Sequence, residues 1–86
     1  MISADDIRTL ISHELEDAVV LLEDLTGGQD HWSAVVISDA FAGLSRIKQH
    51  RRVYQALCEP MKGPLHALQL RTLTKDMALQ EGLLKE

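Results

Sequence analysis

Four histidines and one cysteine are the nitrogen and sulfur side chains through which this chain could ligate a transition metal: His13, His31, His50, His66 and Cys58. A histidine ligates a metal through a neutral ring nitrogen, and the ring must be held in a fixed orientation and remain accessible. The sequence has no Cys-x-x-Cys pair, no His-Glu-x-x-His and no cysteine quartet, so it encodes no self-contained iron–sulfur centre. Most of the ligands of any such centre must come from another molecule.

Taken one by one, the histidines have ordinary structural interpretations as well. His66 begins an alternating segment, where a lone histidine is usually structural, and His31 follows a glycine-containing turn, where exposed histidines are common. We expect His50 to be a packing or capping group and His13 to be solvated near the end of a first helix. Residue type alone therefore does not assign a metal ligand.

No enzymatic motif is present. A serine or cysteine nucleophile needs a base and an orienting acid nearby, and no segment here has such an arrangement. Gly27 and Gly28 lack the remaining spacing and the lysine of a phosphate-binding loop. We expect Cys58 to be a small buried apolar residue, and Trp32 and Tyr54 to line the core or a groove. The sequence predicts a non-enzyme.

The second group of chemically active residues is a basic segment, which we define as Arg46, Lys48, His50, Arg51 and Arg52. It could contact DNA phosphates as a helix-turn-helix-like unit, or its guanidinium groups could bind carboxylates on a protein partner. A solvated helix face with no specific role is a third interpretation. RNA binding of the KH kind is disfavoured, because the helical region has no Gly-x-x-Gly loop and the chain has few aromatic platforms.

A helix is expected to carry this basic segment. Ser45 stands where an N-cap would accept a hydrogen bond from an early backbone N–H. Ile47, Tyr54, Leu57 and Met61 recur at spacings of three, four or seven, which predicts that they form the inward-facing side. Pro60 and the pair Gly63–Pro64 would end the helical region.

The remaining elements follow from caps, alternation and turns. Ser3 predicts the start of a first helix, and Thr74 would cap a last one. Strands are predicted at 18–25, 32–38 and 66–73, with a turn at 26–30 between the first two. The order is helix, strand, strand, helix (with room for a second), strand, helix. It predicts an α+β two-layer sandwich with a three-stranded mixed sheet, an antiparallel hairpin and one parallel pairing.

Composition sets outer limits. The 86 residues suit a single domain, 1–86, with a formal net charge of −4. A single cysteine rules out an internal disulfide, which fits a reducing compartment. No apolar run approaches the roughly 20 residues that span a bilayer, and the N-terminus does not look like a signal peptide. We expect a cytoplasmic protein, or one of an organelle stroma or matrix if a targeting segment was removed.

Two ordered segments between about Leu25 and Thr74 resemble the BolA family. The first has the family's Phe-x-Gly, Ser-Arg, His-Arg and Val-Tyr pattern, and the second has its His-Ala-Leu and Leu-Thr. Lys75 replaces the proline that often follows, which touches only the last helix cap. The matching residues are Phe41, Gly43, Ser45, Arg46, His50, Arg51, Val53, Tyr54, Leu57, His66, Ala67, Leu68, Leu73 and Thr74.

The resemblance implies a class II KH-like fold and a partnership with a monothiol glutaredoxin. Members of the family share a [2Fe-2S] cluster with that partner, whose cysteine and a glutathione thiolate supply the other ligands. The family's invariant histidine corresponds to His66, and its loop ligand corresponds best to His31. Gln29 stands where cysteine-type members have a cysteine, so this chain would be of the histidine type. Imidazole ligation would raise the cluster potential, by analogy with Rieske centres.

The same resemblance leaves a second function open. Some bacterial members are described as DNA-binding regulators, which would use the basic segment. An adaptor that binds protein partners and never contacts a metal is a third, weaker interpretation. We expect the isolated chain to hold no cofactor and to be a monomer or a weak homodimer.

Overall fold

A computed structural model describes residues 2–29, 31–58 and 67–84 of the chain. The helices are α1 (Ala4–Glu14), α2 (Arg46–Ala56) and α3 (Lys75–Gln80), and a 3-10 turn (Asp39–Phe41) precedes α2. The strands are β1 (Val19–Asp24), β2 (His31–Ile37) and β3 (Ala67–Leu73). These elements confirm the predicted fold class. Any second helix between α2 and β3 would lie outside the described residues.

The three strands form one mixed sheet in the order β1-β2-β3. β1 and β2 pair antiparallel, with Val19 opposite Ile37 and Asp24 opposite Trp32. β2 and β3 pair parallel, with His31 opposite Ala67. The sheet therefore has two distinct ends. The β1–β2 loop and the starts of β2 and β3 lie at one end, and the start of β1 and the ends of β2 and β3 lie at the other.

Two helices cover one face of the sheet. Alternation along the strands places Val20, Trp32 and Val36 on that face, and all three are buried against α1 and α2 in the main core. The short helix α3 packs at the far end instead, where Ala78 contacts Ile37 and Leu73 in a smaller cluster. None of the helices in the described ranges combines the length and apolar character needed to cross a membrane.

The predicted helix caps are all present. Ser3 accepts a hydrogen bond from the backbone N–H of Asp6, Ser45 from that of Lys48, and Thr74 from that of Met77. Each hydroxyl satisfies one of the orphan donors of a first helical turn. These short-range interactions depend only on neighbouring residues, which is why the sequence alone places the helix starts well.

The predicted inward face of α2 is wrong in part. Ile47 is 71% exposed and Tyr54 is 37% exposed, whereas Val53 and Leu57 are fully buried. The row that faces the core holds residues four apart, Gln49, Val53 and Leu57, and this row is rotated away from the stripe that carries Ile47. Of the predicted stripe, Leu57 therefore enters the core, whereas Ile47 and Tyr54 do not. Met61 lies outside the described residues.

Candidate metal centre and partner surface

The β1–β2 loop is organised around one carboxylate, that of Asp24. Its Oδ1 accepts hydrogen bonds from the backbone N–H groups of Thr26 (3.3 Å) and Gly27 (3.0 Å), and its Oδ2 accepts one from Gln29 (3.1 Å). Gly27 and Gln29 both have positive φ angles, 79° and 58°. The carboxylate thus holds the loop in a tight turn. It accepts hydrogen bonds from three backbone N–H groups that lie beyond the β1–β2 register.

Two backbone hydrogen bonds tie this loop to the rest of the chain. The N–H of Ile2 donates to the carbonyl of Gln29 at 2.9 Å, and the N–H of Leu25 donates to the carbonyl of His31 at 2.9 Å. Ile2 is itself buried in the main core. The segment before α1 therefore anchors the loop, and His31 begins β2 from a fixed position.

His31 is the predicted loop ligand, and it lies half-buried as the first residue of β2. It pairs with Ala67, the first residue of β3. His66, the other predicted ligand, lies outside the described residues. Its place in the sequence directly before Ala67 is what relates it to His31.

Across the described ranges, no group of three or more His, Cys, Asp or Glu side chains is arranged to hold a metal ion. His13 lies exposed on α1, and the ring of His50 on α2 stands edge-on to that of Tyr54, with centroids 6.5 Å apart. His50 thus packs against an aromatic ring, in keeping with the packing role predicted for it. Cys58 is exposed, so the prediction that it is buried is wrong: it follows Leu57, the last inward-facing residue, and lies on the outer side.

The basic segment is not one continuous patch. Arg46 and His50 face the groove between α2 and β3, whereas Lys48, Arg51 and Arg52 line a separate recess on the other flank. Arg52 binds α1 there, with its Nε 3.2 Å from Glu14 Oε1. Helical rotation separates these charges although they are close in sequence.

The groove beside Arg46, which we call the α2–β3 cleft, is a feature that the sequence did not reveal. It has a volume of about 350 Å³ and is lined by Arg46, Gln49, His50, Leu70, Arg71, Thr72, Leu73 and Met77. The side-chain amide of Gln49 lies in the lining of the cleft and connects α2 to the neighbouring segments by hydrogen bonds. It donates to the carbonyls of Phe41 (3.1 Å) and Leu44 (2.9 Å) and accepts from the Thr72 hydroxyl (2.7 Å). Only the tertiary pairing of α2 with β3 brings these residues together.

The opposite end of the sheet contains a second carboxylate-centred network, also missed from the sequence. Asp17 accepts a hydrogen bond from the buried hydroxyl of Ser38 (2.5 Å) and one from the backbone N–H of Asp39 (2.9 Å). Lys75 Nζ lies 3.7 Å from Asp17 Oδ2. These interactions, first of all the bond from Ser38, lower the pKa of Asp17 below its ordinary value. The network joins three elements that are distant in sequence.

With this geometry in place, comparison with known proteins decides the family. Residues 9–77 match the family model described as BolA-like protein. The chain belongs to the BolA-like family. The match extends past the segments that carried the resemblance in the sequence, since it includes most of α1 and the first turn of α3.

Relatives with curated sequences agree with this assignment. The chain is 39% identical over 74 residues to an uncharacterised protein of Rickettsia prowazekii, covering 85% of this chain and 95% of that protein. It is 36% identical over 75 residues to human BolA-like protein 1, covering 79% of this chain and 55% of that protein. It thus spans only about half the length of this human relative.

Two further BolA-like proteins bear on function and fold. The DNA-binding transcriptional regulator BolA of Escherichia coli is 38% identical over 48 residues, which cover 56% of this chain and 46% of that protein. A solved BolA homologue from Coxiella burnetii superposes with a TM-score of 0.78 at 34% identity, covering 92% of this chain and 99% of that one. The fold and the family are therefore shared along nearly the whole chain.

Proposed function

We propose that this BolA-like protein binds a monothiol glutaredoxin and helps to ligate a [2Fe-2S] cluster that bridges the two proteins. The observation that carries the proposal is the β2–β3 register, in which His31 pairs with Ala67. Ala67 directly follows His66 in the sequence. One candidate ligand therefore begins β2, and the other immediately precedes, in the sequence, the residue with which the first one pairs.

The two candidate ligands suit a cluster that is shared with a partner better than a cluster that this chain holds alone. Two imidazoles are too few for a complete site, and no third ligand stands beside His31 in the described part of the chain. A bridging cluster needs only part of its ligands from each protein, and the glutaredoxin cysteine and a glutathione thiolate would supply the rest. His31 begins a strand and its loop is braced by Asp24, so its backbone is held in place before any partner binds.

In this proposal the chain is a ligand-supplying partner rather than an enzyme. When bound, the cluster supplies one-electron redox chemistry or a transferable iron–sulfur unit. Imidazole ligands raise the potential of such a cluster relative to thiolates. The role would lie in iron–sulfur trafficking or in redox and iron signalling. A cytoplasmic or organellar location remains a prediction.

The test is co-expression of this chain with a monothiol glutaredoxin, followed by anaerobic purification and ultraviolet–visible and circular dichroism spectra. We expect a coloured one-to-one complex whose spectrum differs from that of the glutaredoxin homodimer. A colourless chain that elutes alone would contradict the proposal. The glutaredoxin expressed without this chain is the control, because it gives the homodimer spectrum under the same conditions.

A second candidate function is DNA binding, which is favoured by the similarity to the DNA-binding transcriptional regulator of Escherichia coli. The exposed cations Lys48 and Arg51 would contact phosphates in this alternative. Affinity for a DNA duplex would then fall steeply with salt concentration, because phosphate contacts release counterions. The double variant Arg51→Glu, Arg52→Glu would weaken binding strongly, and a flat salt response in the native protein would exclude this function. Arg52 also binds Glu14, so the fold of the double variant is checked by circular dichroism.

A further inference from the structure

The exposed apolar residues of α2 lie where a soluble helix would normally be polar. Ile47, His50 and Tyr54 follow one another at spacings of three and four, so they share one stripe of the helix surface. Ile47 is 71% exposed and Tyr54 37% exposed, and Met77 on the far side of the α2–β3 cleft is 48% exposed. Departures from the expected pattern of burial concentrate at functional surfaces. The stripe therefore makes this side of the molecule a candidate contact surface.

The charge of the cleft indicates what that occupant carries. Arg46 and His50 of α2 and Arg71 of β3 all line it, and His50 also belongs to the exposed stripe. Over the described residues, Arg46 makes no ion pair, while all five acidic groups that do form ion pairs bind other cations. A cationic cleft on a chain of net charge −4 is a local exception that favours an anionic partner.

The chain itself shows which anion fits. The guanidinium of Arg71 is paired with the carboxylate of Glu81, with Nη2 to Oε1 at 2.5 Å. Glu81 immediately follows α3, and both side chains of the pair are partly exposed, at 55% and 36%. A surface pair of this kind contributes only about 0–1 kcal/mol, so a competing carboxylate can replace it. Glu81 is thus a carboxylate that a partner carboxylate would displace from Arg71.

We propose that the α2–β3 cleft docks a segment of a partner protein that presents a carboxylate beside an apolar side chain, with Glu81 as an internal competitor. The carboxylate would bind Arg46, or Arg71 once Glu81 is displaced, and the apolar side chain would pack on Ile47, Tyr54 or Met77. Tyr, Met and Arg are the residue types that protein interfaces favour. Nucleic acid fits less well, because its phosphates offer nothing to the apolar stripe.

This surface is separate from the proposed cluster site. The cleft is lined by β3 residues Leu70 to Leu73, whereas His31 pairs with Ala67 at the opposite end of the strand. The inference therefore does not depend on the proposed function. A partner docked in the cleft would leave the β1–β2 loop accessible, so the two surfaces can be tested independently.

The test is to titrate the isotopically labelled full chain with a capped peptide of alternating leucine and glutamate. Two-dimensional amide NMR follows the titration. A glutamine-for-glutamate peptide is the control ligand. We expect saturable shifts at the amides of Arg46, His50 and Arg71 with the acidic peptide and not with its neutral counterpart. Shifts centred on Lys48 and Arg51, or equal shifts with both peptides, would overturn the proposal.

Charge variants sharpen this result. Arg46→Glu and Arg71→Glu should each weaken peptide binding by about tenfold, because each replaces an attraction by a repulsion. Arg51→Glu makes the same change of net charge on the other flank of α2 and should leave the affinity within about twofold of the native value. Glu81→Gln should strengthen binding by about twofold to fivefold, since it removes the competitor. Equal effects of Arg46→Glu and Arg51→Glu would contradict a specific cleft, and so would unchanged or weaker binding by Glu81→Gln.

Discussion

Each end of the sheet contains an aspartate carboxylate that accepts several hydrogen bonds, but the two carboxylates have different roles. At one end Asp17 accepts hydrogen bonds from Ser38 and Asp39 and lies near Lys75. At the other end Asp24 accepts hydrogen bonds from three backbone N–H groups of its own loop. The first carboxylate joins distant elements of the fold, and the second shapes a single loop next to His31.

The difference separates stability from function. Ser38 is fully buried, so its hydroxyl donates to Asp17 rather than to water. The donors that bind Asp24 belong to an exposed loop, where water can replace a lost bond at low cost. The carboxylate of Asp24 therefore contributes little to the stability of the fold, but it fixes the backbone next to the candidate ligand His31. The comparison therefore predicts that the two aspartates fail in different ways.

The largest effect should come from Asp17→Ala. This change leaves the buried Ser38 hydroxyl without its acceptor and removes the partner of Lys75, so we expect the free energy of unfolding to fall by about 1–3 kcal/mol. Urea denaturation followed by the fluorescence of Trp32, the single tryptophan, measures it. Asp5→Ala, an exposed aspartate in the first turn of α1, is the matched control and should cost much less. A loss no larger than that of Asp5→Ala would break the comparison.

A smaller loss of stability, about 1 kcal/mol or less, is expected for Asp24→Ala, because water can take over the loop donors. Its effect should instead appear in the cluster spectrum of the glutaredoxin complex, because the backbone that leads to His31 is no longer braced. Asp24→Asn keeps one carbonyl oxygen and should restore part of the native spectrum. If Asp24→Ala destabilised the fold as much as Asp17→Ala and left the spectrum unchanged, the assignment of roles would be reversed.

The smallest effect, and the one that isolates charge, is the pH dependence of Asp17→Asn. The hydrogen bond from Ser38, that from Asp39 and the charge of Lys75 lower the pKa of Asp17 in the folded state. Its ionised form therefore stabilises the fold fully above its unfolded pKa, near 3.8, and this contribution is lost as pH falls through the lower folded pKa. We expect the difference in unfolding free energy between native protein and variant to be constant near neutral pH and to shrink in acid. A difference that stayed the same down to pH values below the folded pKa would contradict the lowered pKa.

Local patterns were enough to predict the secondary structure and topology. Ser45 and Thr74 are caps that depend on a few neighbouring residues, and the alternation of Leu68 and Leu70 with Gln69 and Arg71 corresponds to the two faces of β3. The hairpin and the parallel crossover then follow from connection length.

Features that depend on tertiary packing escaped the sequence. Nothing in the helical repeat of α2 says that Val53 rather than Tyr54 faces the core, because both stripes are spaced as a helix requires. Asp17, Ser38 and Lys75 are brought together only by folding, and so are Arg46 and Arg71. Of the two proposed metal ligands, His31 is identified by family resemblance rather than by geometry, and His66 lies outside the described residues.

The most direct measurement of the central claim is the spectrum of the glutaredoxin complex formed by His66→Ala, compared with those of His31→Ala and the control His13→Ala. His13 is an exposed histidine of α1 that belongs to neither end of the sheet. The account predicts that His66→Ala abolishes the distinctive spectrum while the proteins still bind without a cluster, that His31→Ala shifts it or destabilises the cluster more mildly, and that His13→Ala leaves it unchanged. An unchanged spectrum for His66→Ala would contradict ligation by this chain, and an unchanged one for His31→Ala would remove the β1–β2 loop from the site.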